Sequence, residues 1–335
     1  MKKKGHIWAM WFILLGGLGL LIFIMIFSIT KGAANIPVSS VWDALFHFND
    51  GEMNHLIILN IRIPRVIASA LVGAALAVSG AIMQGTTGNP LADSGLLGLN
   101  AGAAFALSIC FAFFPEMKYM HIILISFLGA AFGAGLVNGI ASMGKGGATP
   151  IRLVLAGAAV NTLLIALSQG IALYFDVAQS IMFWTVGGVA GSNWEQVRIM
   201  FPLIIGGLIG AIGLSRSISI LSLGQDTAKG LGTNIKVVNA LSSFIVLILV
   251  GASVSVVGAV GFVGLIVPHI ARFFVGMDYR LIIPSTAVIG ALIVVLADLG
   301  ARTLNPPFET PIGVIISLIG VPLFLNLARK QRSAM

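Results

Sequence analysis

In a chain this apolar, chemistry falls to the few groups that carry charge. Of 335 residues, 58% are hydrophobic and 9% are Asp, Glu, Lys or Arg. The charges of interest are those set against long apolar runs. Arg62 and Arg65 bracket Pro64 in the stretch IRIPR (61–65), just before the apolar run that starts at Val66. Asp298 lies one helical turn before Arg302. An arginine at the mouth of a membrane span has two uses. Its stem can lie along apolar surface while the head reaches lipid phosphate. Alternatively, its planar fork can take a carboxylate bidentately. Pro64 has no N–H and biases Ile63 away from helix, which predicts that the membrane helix begins at about Pro64 or Arg65.

Other chemistries find no set of residues. GKGG at 144–147 has the wrong order and spacing for a phosphate loop. His6, His47, His55, His121 and His269 are scattered and form no ligand pair, and Cys110 sits alone in an apolar run. No catalytic residue, metal site or cofactor is expected in this chain. Intramembrane charge is nearly confined to Asp298, whereas a proton- or sodium-coupled carrier usually places ionisable groups deep in the bilayer. The energy for any transport is therefore expected from elsewhere. The net charge of +8 points to anionic lipid and a cytoplasmic surplus, with no nucleic-acid partner.

The elements that must position these groups are membrane spans, each needing roughly 17–25 apolar residues. Ten candidates lie near 7–29, 66–84, 95–114, 120–143, 151–174, 199–214, 237–257, 258–275, 281–300 and 311–328. The first is longer than a signal-peptide core and reads as a retained span. The stretch 181–190 is too short to cross and reads as an interfacial or re-entrant helix. Both ends are basic, MKKK at the start and ARKQR at 328–332. Basic ends prefer the cytoplasm, so the number of spans is expected to be even, with both termini cytoplasmic. That topology puts Lys145, Arg152, Arg216, Lys229, Lys236, Arg272 and Arg280 on the terminal side, and Lys31, Arg62, Arg65, Lys118, Arg198 and Arg302 outside.

The chain reads as a single all-α transmembrane domain over 1–335. VGAALAVSGAIMQ (72–84) matches VGASVSVVGAVGF (250–262) without a gap, and the same offset pairs Pro90 with Pro268 and Gly98 with Gly276. Spans two and seven run in opposite directions in the ten-span topology, so this repeat would be inverted, the usual architecture of a transporter. The repeat halves are roughly 60–175 and 237–328, with a polar cytoplasmic segment at 215–236 between them. In its core, LSLGQDTAKGLGTNIK (221–236), Gly224, Gly230 and Gly232 divide the segment into two short pieces, read either as a solvated loop or as a helix pair that inserts into a partner.

Eight stretches in order resemble one family. They are IRIPR (61–65), VGAALAVSGAIMQ (72–84), GNPLADSGLLGLNAGA (88–103), RLVLAGAAV (152–160), LSLGQDTAKGLG (221–232), GAVGFVGLIVPHIAR (258–272), LADLGART (296–303) and ETPIGVIISLIGVPLFL (309–325). Together they resemble the permeases of iron-siderophore and cobalamin ABC importers, the type II importers. The resemblance implies an all-α integral membrane fold of about ten spans, with two permease subunits around one path. The second permease would be this same chain or a paralogue. ATP and Mg would sit on two separate ATPase subunits, and an external substrate-binding protein would deliver an iron-siderophore complex. Cobalamin or haem is the alternative cargo, and a secondary carrier without an ATPase the alternative class.

The resemblance also assigns residues. Leu223, Gly224, Gln225, Asp226, Ala228, Leu231 and Gly232 match the loop that docks on the ATPase. Family members often carry an acid where Gln225 stands, and Asp226 next door is placed to take that role. Thr149, Pro150 and Ile151 fall on the cytoplasmic gate. Arg62, Arg65 and Arg302 match positions that present basic groups to carboxylates of the binding protein, and are expected at the outer rim.

Overall fold

The computed structural model of the chain describes residues 2–32, 35–143, 150–186, 188–306 and 308–332, and no strand occurs among them. The helices are α1 (Lys2–Thr30), α2 (Val38–Phe46), α3 (Met53–Ile57), α4 (Ile63–Thr87), α5 (Leu99–Phe113), α6 (Tyr119–Ser142), α7 (Pro150–Tyr174), α8 (Ala178–Val186), α9 (Trp194–Leu221), α10 (Gln225–Gly230), α11 (Ile235–Val257), α12 (Val263–Val275), α13 (Tyr279–Thr303) and α14 (Ile312–Arg332). The ten expected spans fall on α1, α4, α5, α6, α7, α9, α11, α12, α13 and α14. Among the described residues, seven helical runs are long and apolar enough to cross a bilayer, and α5, α12 and α14 supply the shorter apolar helices. The stretch 181–190 overlaps the short α8, none of whose residues is buried.

One helix forms the axis. The α4 run is 89% buried along its most apolar window, against 22% for α1 and 28% for α7 and α9. It packs on α9, α11, α12 and α13. Its sequence explains the position, because Ala, Gly and Ser recur on every side of ASALVGAALAVSGA and let backbones approach where no apolar driving force exists between helices in lipid. A Cβ on Gly73 would lie 2.2 Å from the Gly290 carbonyl oxygen of α13, and one on Gly80 would lie 1.8 Å from that of Gly264 in α12. Neither position can hold a side chain, so α4, α12 and α13 are locked as one slab.

The bundle has two faces. On one, Arg62 at the head of α4 reaches Ile29 at the end of α1, Trp194 Nε1 donates to the Leu59 carbonyl at 2.7 Å, and Arg302 at the end of α13 reaches Lys31. On the other, His6 of α1 lies against Gly276 between α12 and α13, and Gly85 near the end of α4 lies against Ile218 and Tyr279. The α14 helix starts beside the first face. Its 21 residues give about 30 Å at 1.5 Å each, enough to return its end to the face of the N-terminus.

Three local features differ from expectation. The chain does not enter helix at Pro64. A π-helical turn, Ile58–Arg62, joins α3 to α4, so helix runs unbroken from Met53 to Thr87. Proline clashes with the carbonyl four residues back, and the wider i→i+5 turn gives that carbonyl room. The span expected at 258–275 begins as helix only at Val263. Gly258 takes φ +74° and Phe262 takes φ +67°, so 258–262 is a bent connection. The two matched repeat segments consequently differ in shape: 72–84 is continuous helix, while 250–262 leaves helix at Gly258. The helices that carry them do run in opposite directions, α4 toward the terminal face and α11 away from it.

Candidate functional site

The three arginines converge. The π turn advances Arg62, one helical turn places Arg65 beside it, and the last turn of α13 brings Arg302 and Asp298 to the same spot. Arg65 Nε and Nη2 donate to Asp298 Oδ1 at 2.9 and 2.8 Å, and Nη1 donates to Glu309 Oε1 at 2.7 Å. Arg302 Nη2 lies 3.0 Å from Asp298 Oδ2 and donates to the Ser28 hydroxyl, while Nη1 donates to the Lys31 carbonyl at 3.3 Å. Arg62 Nη1 donates to the Ile29 carbonyl at 2.5 Å.

This overturns the expected rim exposure. Arg62, Arg65 and Arg302 are only 5–6% exposed, and Asp298 is fully buried. Guanidinium groups at this depth need carboxylates and carbonyls around them, because an unpaired buried charge costs several kcal/mol. Asp298 serves two arginines at once. Glu309, on the connection from α13 to α14, is the residue that sequence reasoning missed. The available signal was an acid seven positions after Arg302, in the connection that follows the same span. Among the described residues, three guanidinium groups face two carboxylates here, a positive surplus.

The opposite face carries a different device. After α9, Gly224 turns at φ +110° and Gly232 at φ +76°, conformations that glycine adopts without strain. Between them stands a single short helix, α10, where two pieces were expected. Ala228 is fully buried against Leu221 and Val238 and anchors the loop, while Leu223 and Leu231 are 67% and 62% exposed. Gln225, Asp226, Gly224 and Gly232 are exposed as well. Asp226 pairs with Lys229 at 3.6 Å in open solvent, a contact worth little. Of the expected gate, Thr149 lies outside the described residues, Pro150 opens α7, and Ile151 in the first turn is exposed.

Two further contacts tie this face together. Buried Gln84 near the end of α4 donates to the Gly264 carbonyl at 3.2 Å and accepts from Arg272 of α12. Asp278 caps α13 and accepts from Arg280 N at 3.0 Å. It also accepts from the Ser219 hydroxyl of α9 at 3.0 Å, and that hydroxyl accepts from Tyr279 N at 2.8 Å. The end of α9, which leads into α10, is thereby fastened to the start of α13. The other end of α13 holds Asp298 and Arg302.

A bundle of about ten crossings with an anchored, exposed loop on one face and a buried charge cluster on the other defines a membrane permease that works with partners. The chain belongs to the FecCD transport family, which matches residues 20–330. It is 51% identical over 323 residues to the iron(3+)-hydroxamate import system permease protein FhuB of Bacillus subtilis, covering 96% of this chain and 83% of that one. It is 35% identical to the hemin transport system permease protein HmuU of Yersinia pestis, covering 93% and 94%. Among solved structures, an inward-facing ABC transporter described as of metal-chelate type superposes with a TM-score of 0.81 at 30% identity, covering 95% of this chain and 98% of that one. The chain is thus the permease component of an ABC importer, and the reading as a secondary carrier falls away.

Proposed function

We propose that this chain carries a ferric siderophore, of the hydroxamate class, across the cell membrane as one of two permease subunits driven by two separate ATPases. The observation that carries the coupling is the α10 loop. Ala228 fixes it to the bundle while Leu223 and Leu231 stay exposed, an arrangement suited to insertion of two apolar side chains into a partner's groove. The terminal face then lies in the cytoplasm, with both chain ends, and the charge cluster lies outside. The cargo class rests on the 51% identical relative. The large apolar side chains that α1, α7 and α14 turn outward, such as Phe12, Leu155 and Leu318, suit lipid and the second permease.

At the outer face, Arg62, Arg65 and Arg302 serve docking of the loaded binding protein through the positive surplus of their cluster. A field of one sign at a mouth steers an acidic partner and weakens with salt. Proteoliposomes holding this chain, its ATPase and the binding protein test the reading with radiolabelled ferric hydroxamate. Uptake should require ATP and the binding protein together. Uptake driven by a proton gradient without ATP would overturn it. Orientation is checked by cysteine labelling in a Cys110→Ala background, with position 52 reachable from outside and position 229 only after permeabilisation.

A further inference from the structure

The bonds to Arg65 differ in how replaceable they are. Its Nε and Nη2 edge is held by Asp298, which is fully buried, sits on α13 and also holds Arg302. Among the described residues its Nη1 meets Glu309 alone, whose side chain is 44% exposed and stands on a connection between helices. Beside this bond lies a cavity of about 530 Å³, lined by Arg65, Glu309, Thr310, Ala301, Met182 and Phe183 among others. An incoming side chain and a departing one both have room there.

We propose that Glu309 is an internal competitor for Arg65, a removable carboxylate that an acidic side chain of the external binding protein displaces on docking. The proposal rests on the docking reading above. The chemistry is an exchange of like for like. Arg65 keeps a carboxylate on Nη1 before, during and after docking, so no buried charge is left unpaired, the state that costs most. Asp298 cannot be exchanged in this way, because its removal would strand Arg65 and Arg302 together. The positive surplus of the cluster attracts the acid, and the half-exposed Glu309 yields to it. Once released, Glu309 no longer ties the head of α4 to the connection that leads into α14, so docking loosens the approach to the cavity.

The test uses the full complex of permease and ATPases in nanodiscs, with binding-protein affinity measured at low and high salt. Three permeases are compared: wild type, Glu309→Gln and Arg65→Lys, which keeps a charge for Asp298 but loses the fork. Thermal midpoints show that each is folded. Glu309→Gln should bind about fivefold more tightly at low salt, the equivalent of the ~1 kcal/mol of one half-exposed ion pair, and Arg65→Lys should bind more weakly. If Arg65→Lys weakens binding and Glu309→Gln does not strengthen it, docking stands and the competitor role is wrong. If neither variant changes the affinity, the docking reading falls and takes this proposal with it. Should Glu309→Gln fail to fold, Glu309→Asp, with a shorter reach to Nη1, must tighten binding to a smaller degree. Citrate without binding protein is the control for a free carboxylate. Citrate that stabilises wild type but not Arg65→Lys would make the occupant a small anion, against the proposal.

Discussion

The two working faces of this permease are built on opposite terms. At the face proposed to lie outside, charge is buried: Arg62, Arg65 and Arg302 are 5–6% exposed and, among the described residues, donate to Asp298, Glu309, Ser28 and backbone carbonyls. At the terminal face, apolar surface is exposed: Leu223 and Leu231 stand out on a loop whose only buried anchor is Ala228. A surface of the second kind is ready for a partner, and nothing in the chain has to move first. A surface of the first kind is already satisfied from within, and a partner must compete. The difference suits the two contacts proposed: a lasting one with an ATPase and a transient one with a binding protein.

The comparison breaks most easily at Asp298. If the outer cluster is structural as well as functional, Asp298→Ala should strand two arginines and destabilise the permease by about 3–5 kcal/mol. Thermal unfolding in detergent reads this directly, and uptake should be lost with it. The same logic bars Arg65→Glu as a clean docking test, because it would set three carboxylates against one another. An Asp298→Ala protein as stable as wild type would show that the cluster is hydrated and that its burial means little.

The second variant acts at the loop. Leu223→Asp with Leu231→Asp alters exposed side chains only, so stability should stay within about 0.5 kcal/mol. Uptake should nonetheless collapse, with the ATPase dissociating or hydrolysing ATP without transport. Copurification and a coupled ATPase assay separate those outcomes. Normal uptake by a well-folded double variant would sink the docking role of 221–232.

The asymmetry between the faces also decides what could be read from residues alone. The spans were legible because apolar length is a sequence property, and even the short α8 showed as a run too brief to cross. The exposed loop was legible because Gly224 and Gly232 mark its turns, although its interior holds one helix and not two. The helices α2 and α3 were not read, since they are short, and Val41 and Ala44 become core only through packing on neighbouring elements. Burial of the arginines was hidden for a related reason. Asp298 was visible one turn before Arg302, but its partner Arg65 lies 233 positions away, and Glu309 gained a role only once α4 and α13 were packed. The π turn was hidden too, because Pro64 signals a helix start and the tertiary fold continues the helix behind it.

The smallest effect is expected where the terminal face is neither buried nor bare. Asp278 caps α13 and is partly exposed, and hydrogen bonds from the Arg280 guanidinium hold its carboxyl below the usual carboxylate range. The Ser219 hydroxyl and the Arg280 backbone N–H act in the same direction, and burial opposes them. Asp278→Ala loses both the cap and the ion pair and should cost about 1 kcal/mol. Asp278→Asn keeps the cap and loses only the charge, so at pH 7 it should cost no more than about 0.5 kcal/mol. The sign follows from the depressed carboxyl. Its contribution is fully present above the unfolded value, near pH 3.9, and is lost as pH falls through the lower folded value. Wild type and Asp278→Asn should therefore converge in stability below about pH 4, while Asp278→Ala stays less stable at every pH. Unfolding midpoints for the three proteins between neutral and acid pH would show this. A gap between wild type and Asp278→Asn that persists undiminished at the acid end would mean that the Arg280 pair contributes nothing, and that the fastening of α9 to α13 is the work of the cap and Ser219 alone.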